Sequence, residues 1–267
     1  MSDLHLEAER CYSDFDIPRS APYLILAGDV GRLLDYDDYL GFLRRHCTRF
    51  EHVYLVLGNH EFYGQSREEG LKAAASLEAE PDLHSKLTVM NRTRVDINSK
   101  VTLLGCTLQS NIPSESRSAV EYRVKDFRYI SGWTIDHHNA EHALDANWLK
   151  TEVQTAHHED PHRRIVIVTH HAPSFRNTCE PPQEKNPWSS AFCTNILESE
   201  TDTWLGLGCV RYWIFGHTHW CTEFRKGDMT IVSNQRGYVL SQRNPTMSIW
   251  KLFKREGFNV KKYIVIS

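Results

Sequence analysis

The stretch Val53-Tyr54-Leu55-Val56-Leu57-Gly58-Asn59-His60-Glu61 passes from five apolar residues straight onto a glycine and three side chains able to bind metals or move protons. A run this short, apolar and rich in β-branched residues fits a strand buried on both faces of a parallel sheet. Three other runs end in the same way. Tyr23-Leu24-Ile25-Leu26-Ala27 meets Gly28-Asp29, Arg164-Ile165-Val166-Ile167-Val168-Thr169 meets His170-His171, and Tyr212-Trp213-Ile214-Phe215 meets Gly216-His217-Thr218-His219. In open α/β sheets ligands sit beyond the carboxyl ends of the strands. Four strand tips are therefore predicted to bring Asp, Asn and His side chains to one edge of a sheet, where they form a metal site.

The chain has 267 residues, enough for a substantial core, and is 40% hydrophobic and 24% charged, as soluble globular proteins are. Its formal net charge of −3 gives no global attraction to nucleic acid or membrane. The 15 histidines are many for this length, and histidine is the commonest metal ligand. Seven irregularly spaced cysteines without a CxxC pair argue against a disulfide framework and a zinc ribbon. They are expected as reduced thiols in a cytoplasmic protein. No secretory leader follows Met1, and no apolar run reaches the length of a membrane span.

Strand and helix alternate through the first half. Helices are predicted over residues 36–50 and 67–80, and strands over 87–91 and 100–108, a βαβ pattern with a parallel sheet. Residues 109–139 read as a long ordered loop over the site, and residues 140–158 as a helix with Leu144, Trp148, Leu149 and Val153 in the core. Residues 173–199 read as a second wall of the mouth. The tail (229–233, 238–240, 248–254 and 260–266) reads as an antiparallel meander closing a second sheet.

Asp3, His5, Asp29, Asn59, His170, His217 and His219 make an oxygen and nitrogen donor set without thiolate, suited to zinc, manganese or iron rather than calcium or magnesium. Seven groups are too many for one tetrahedral ion but suit two ions sharing a carboxylate. Two-metal sites act on phosphate esters, with a bridging hydroxide as the nucleophile. His60, beside Asn59, is placed to approach the metals without binding them and to protonate the departing alkoxide.

Asp3-x-His5, Gly28-Asp29, Gly58-Asn59-His60-Glu61, His170 and Gly216-His217-Thr218-His219 together resemble the ordered signature of the calcineurin-like metallophosphoesterase superfamily. The resemblance spans most of the chain. It implies an α/β (α+β) fold, a two-sheet β-sandwich flanked by helices in four layers, formed as one domain over residues 1–267. It also implies that Asp3, His5 and His219 hold a first metal, that Asp29 bridges, that Asn59, His170 and His217 hold a second, and that His60 is the acid. Members hydrolyse phosphomonoesters or phosphodiesters. The resemblance further implies a hydrophobic strand leading into Asp3, where only Met1 and Ser2 stand. The expectation is a missing first strand, exposed edges on its neighbours and a weaker hold on the first metal.

Adjacent strand residues face opposite ways, so only one of His170 and His171 can face the metals, and the resemblance selects His170. Glu61 either orients a ligand or acts as an acid at a helix start. Asp14, Asp35 and Asp126 read as turn or surface carboxylates. His138 is a pocket candidate, and Trp220 could stack on a substrate or pack in the core. Arg128, Arg176 and Arg236 lie in loops from which a guanidinium could grip phosphate. The leading function is a metal-dependent hydrolase of phosphate esters, with a slight lean to small phosphodiesters. A phosphatase acting on phosphoproteins or other monoesters is the alternative, and a non-catalytic module on the same fold comes third. The net negative charge weighs against nucleic acid, whose binders usually show a basic stripe.

Overall fold

The apolar runs form strands whose two faces are both buried, which is why they read as continuous rather than alternating. The computed structural model describes residues 1–199, 204–239 and 257–266. Within them, β1 (Tyr23–Ala27), β2 (His52–Val56) and β3 (Leu87–Met90) pair in parallel in that order. A second sheet has the order β4-β5-β6-β7-β9-β8, from β4 (Thr93–Asn98), β5 (Val101–Cys106), β6 (Arg164–Thr169), β7 (Val210–Phe215), β8 (Thr222–Lys226) and β9 (Met229–Ser233). Its four inner strands run parallel, and β4 and β8 close the edges antiparallel.

Side-chain alternation divides the core into layers. Leu24 and Leu26 of β1 and Val53 and Leu55 of β2 pack outward against Tyr39, Leu40 and Leu43 of α1 (Tyr36–Arg49) and Ala74 and Leu77 of α2 (Arg67–Ala79). Their neighbours Ala27, Tyr54 and Val56 face inward onto Leu103, Val166, Val168 and Ile214 of the second sheet. On the far side Leu104, Ile165, Ile167 and Trp213 meet Leu149, Val153 and Ala156 of α5 (Ile135–Glu159). The result is two sheets flanked by helices, as the resemblance implies. Register sets the site's level: Cys106 pairs with Thr169, Val168 with Ile214 and Phe215 with Ser233, so β5, β6, β7 and β9 end together.

Several boundaries differ from expectation. A capping box between Ser66 and Glu69 fixes the start of α2. The side chain of Thr134 accepts from His137 N–H, so α5 begins five residues before Ala140. The expected loop 109–139 holds two short helices, α3 (Arg117–Arg123) and α4 (Asp126–Tyr129). Among the described residues the tail forms no antiparallel meander. Residues 229–233 join β7 in parallel, and their antiparallel partner is β8, a charged edge strand. Residues 238 and 239 and 260–266 are described but not in strands, whereas residues 240 and 248–254 lie outside the described residues.

Met1–Asp3 lies alongside the end of β1. The Met1 carbonyl accepts from Ala27 N–H at 2.8 Å, and Asp3 N–H donates to the Gly28 carbonyl at 3.0 Å. Ser2 bridges to Gln235 beyond β9. Next to β1 lies an apolar cleft of about 490 Å3 lined by Ile25, Tyr54, Leu103, Ile214 and Ile264. Asp3 and His5 are nevertheless buried. No helix among the described residues is long and apolar enough to cross a membrane.

Candidate metal centre

In the turns after β1 and β7, and in residues 3–5 beside β1, the backbone takes conformations that few residue types favour. Five of the seven candidate ligands have left-handed φ: Asp3 at 54°, His5 at 47°, Asp29 at 53°, His217 at 70° and His219 at 53°. For a residue with a Cβ this costs about 1–2 kcal/mol, and it persists where surrounding contacts over-determine it, as at functional sites. The glycines permit close approach. A Cβ on Gly28 would lie 2.3 Å from Nδ1 of His170, and one on Gly58 would lie 2.2 Å from Oδ1 of Asp29.

All seven candidate ligands converge. Three sets of donor atoms each fall within 4.8 Å: Asp3, His5 and His219; His5, Asp29 and His60; and Asp29, His170 and His217. Nε2 of His5 faces Nε2 of His219 at 2.8 Å, and Oδ2 of Asp29 at 3.9 Å. Nε2 of His170 lies 3.1 Å from Oδ1 of Asn59 and 3.3 Å from Oδ1 of Asp29. Supporting bonds aim these atoms. Nδ1–H of His170 donates to the Ala27 carbonyl at 2.9 Å, which turns Nε2 inward. The Asn59 amide donates to Asp126 at 2.8 Å, leaving its oxygen for the site. Nε2 of His217 is buried with no hydrogen-bond partner. Facing imidazole nitrogens, an orphaned Nε2 and a thiolate-free donor set fit transition-metal ions.

The electrostatics agree with that fit. Burial opposes a charge on His170, but Asp29 and Asp3 outweigh it and push its pKa up to about 10. Burial likewise works against Asp29, yet the positive histidines hold it well below the carboxylate range. His217, pushed down by burial and by its histidine neighbours, keeps a neutral ring with a free lone pair. A cation entering this cage would meet a lone pair on His217 and a negative carboxylate at Asp29, and would displace a proton from His170.

His60 sits on the rim of the cage. Its backbone N–H donates to Oδ1 of Asp29 at 2.9 Å, its Nδ1–H donates to Glu7 at 2.8 Å, and its Nε2 lies 2.9 Å from the hydroxyl of Tyr238. The Tyr238 ring stacks on His5 with centroids 4.1 Å apart. Glu7, Tyr238 and Tyr63, whose ring lies against His60, are absent from the sequence reading. Glu61 is fully buried and accepts from four backbone N–H groups and from Tyr39. It therefore organises the ligand-bearing turns rather than capping a helix. Burial and the Asp29 charge push its pKa up to about 7, while five donors around its oxygens favour the ionised form. Asp126 is not a surface carboxylate: it is 2% exposed and accepts from Asn59 and Tyr63.

The proposed substrate residues are scattered. Arg128 and Arg176 are exposed, and Trp220 is half-buried next to the His217–His219 turn. His138 is buried and accepts from Ser110 N–H at 3.1 Å. The guanidinium of Arg236 donates to the Leu4 carbonyl at 2.9 Å and lies over Phe15, so it braces the segment that carries Asp3 and His5. His171 is buried against His217 and His138.

A two-sheet sandwich with a cage of oxygen and nitrogen donors at its strand ends is the framework of a metal-dependent hydrolase. Residues 1–221 match the family of calcineurin-like phosphoesterases, and the chain belongs to that family. It is accordingly a phosphoester hydrolase, of a family that works with divalent metal ions. An uncharacterized protein of Acanthamoeba polyphaga mimivirus is 23% identical over 273 residues, covering 91% of this chain and 92% of that protein. The crystal structure of the phosphopantetheinyl hydrolase of Mycobacterium tuberculosis has the same fold, with a TM-score of 0.64 at 17% identity over 89% of this chain and 88% of that one.

Proposed function

We propose that this chain hydrolyses a small phosphodiester at a two-metal centre. Asp3, His5 and His219 would hold one ion, Asn59, His170 and His217 the other, and Asp29 both. The observation that carries this reading is the place of Asp29, whose two oxygens face different histidines: Oδ2 toward His5 and Oδ1 toward His170. Manganese, zinc or iron bound there would neutralise phosphoryl oxygens and acidify the attacking water. The chain's own residues do the rest. Asp29 fixes the backbone of His60, whose Nε2, 2.9 Å from the Tyr238 hydroxyl, would give a proton to the leaving oxygen, a contribution of about 10²–10⁴-fold.

The preference for a small substrate is supported by the two loops beside the site, which pack on each other. Ile112, Val120, Val124 and Ile135 meet Ala191, and Arg123 lies over Trp188 at 5.0 Å. A phosphoprotein would need an open groove there. We place the enzyme in the cytoplasm, acting as one unit over its whole length, on the basis of its seven cysteines, none of them joined in a disulfide, and of core clusters that draw on both halves of the chain.

The test combines elemental analysis with a substrate panel. Two transition-metal ions per chain are expected in the parent protein and none in Asp29→Ala, with an aryl phosphodiester turned over faster than an aryl monoester or a phosphopeptide. Retention of two ions by Asp29→Ala refutes the shared ligand. Faster turnover of the phosphopeptide refutes the diester preference.

A further inference from the structure

Glu7 has no role in the ligand set, yet its carboxylate lies among the site's histidines with its side chain only 9% exposed. One oxygen, Oε1, lies 2.8 Å from Nδ1 of His60 and 3.4 Å from Nδ1 of His5. The two rings meet edge to face, with centroids 4.4 Å apart. The other oxygen, Oε2, is buried without a hydrogen-bond partner. An ionised carboxylate sealed in this way is retained only where its partners compensate for lost water. Its position follows from the local sequence. Leu4 and Leu6 are fully buried in the core, and Asp3, His5 and Glu7 alternate with them toward the site.

We infer that Glu7 is a positioning residue for the hydrolysis proposed above: it locks the His60 ring so that Nε2, and not Nδ1, is the nitrogen presented to the leaving group. A carboxylate only accepts, so the Nδ1 proton must point at Glu7. An imidazole free of such a partner can flip its ring or exchange its tautomer, and either change aims the wrong atom at the substrate. In the productive step the oxygen of an attacking hydroxide forms a bond to phosphorus as the bond from phosphorus to the leaving oxygen breaks, and the electron pair of the broken bond stays on the leaving oxygen. That oxygen takes the proton from Nε2 of the imidazolium, and the neutral ring keeps its Nδ1 proton on Glu7. The contact with His5 joins this alignment to the metal cage, so the acid and the ions are held in one frame.

The inference rests on the hydrolase reading, and its test has an arm that does not. In zinc-loaded protein labelled with ¹⁵N-histidine, Nδ1 of His60 should give a protonated-type signal that moves to the unprotonated range in Glu7→Ala. The same signal in parent and variant overturns the proposal whether or not any ester is cleaved. In the kinetic arm, Glu7→Ala should keep two metals per chain and an unchanged KM. Its kcat on an alkyl ester should fall roughly 10–100-fold, the usual effect of removing such a supporting contact, against less than about threefold on a 4-nitrophenyl ester. Glu7→Gln, which keeps the fold and an accepting oxygen, should recover most of the loss. Equal losses on both esters, a rise in KM alone, or loss of metal in Glu7→Gln would each overturn the assignment.

Discussion

Replacing Glu61 with alanine should loosen the metal cage from outside it. Oε1 accepts from Val30 N–H at 2.8 Å, Gly31 N–H at 3.3 Å and the Tyr39 hydroxyl at 3.1 Å; Oε2 accepts from Asp29 N–H at 2.9 Å and Gly58 N–H at 2.7 Å. One carboxylate thus ties the turn after β1, which carries Asp29, to the turn after β2, which carries Asn59. Orphaning a buried donor costs about 1–3 kcal/mol, so five donors would naively cost far more than a domain can lose. Two effects reduce the sum. Water can enter the space the side chain leaves, and removal of a buried anion next to Asp29 relieves repulsion. The expected loss is therefore about 4 kcal/mol, in line with other broken buried ionic networks. For a chain of this size that lowers Tm by roughly 8–16 °C. Calorimetry in the presence of chelator measures it without the contribution of bound metal. Glu61→Gln, which keeps one accepting oxygen, should lose about half as much. A drop below about 3 °C for Glu61→Ala, or a glutamine variant weaker than the alanine one, would refute the idea that this carboxylate holds the two turns together.

Two further substitutions address other parts of the frame. Gly58→Ala drives a methyl to 2.2 Å from Oδ1 of Asp29 and should lower metal affinity at least about tenfold, measured by competition with a chelator. Gly41→Ala, in α1 with nothing within 4 Å, should raise stability by about 1 kcal/mol and leave metal binding alone, as a matched control. Burial pushes the pKa of His138 down to about 3, below its ordinary value of 6.5. Between those values the unfolded chain binds the extra proton, so this residue's stabilisation is full at neutral pH and is lost as the pH falls below about 6.5. The loss should reach about 2 kcal/mol at pH 5. His138→Gln can accept from Ser110 without titrating and should flatten that slope in urea unfolding at pH 7.5 and 5; an unchanged slope would place the pH sensitivity elsewhere.

Asp29, Asn59, His170, His217 and His219 were legible in the sequence as candidate ligands because each follows an apolar run that one segment carries by itself, whereas Asp3 and His5, with only Met1 and Ser2 before them, rested on the family resemblance. A strand buried on both faces leaves an unbroken apolar run, and a ligand in the first turn after it inherits that strand's position from the sheet register. The helices α1 and α2 were legible from their own segments too, α1 through apolar spacing and α2 through its Ala, Leu and Glu content and the proline that follows it. What escaped lacks any local mark. β4 and β8 are edge strands, half-exposed and charged, so their alternation is diluted. α3 and α4 are too short for helical periodicity to emerge.

The supporting side chains escaped for a different reason. Glu7 meets His60 across 53 positions, Asp126 meets Asn59 across 67, and Tyr238 meets His60 across 178. Ligands must leave from rigid strand ends because a metal cage tolerates little displacement. A group that only has to accept one hydrogen bond can come from any segment that the fold brings within 3 Å. The metal site is therefore written into the strands, while the alignment of its acid is written into contacts between distant segments. Glu7 is the intermediate case: the sequence reading did not use it, although in the structure it alternates with buried Leu4 and Leu6 on the same side as Asp3 and His5, and its partner His60 is fixed only when β2 and the turn after it are set beside that segment.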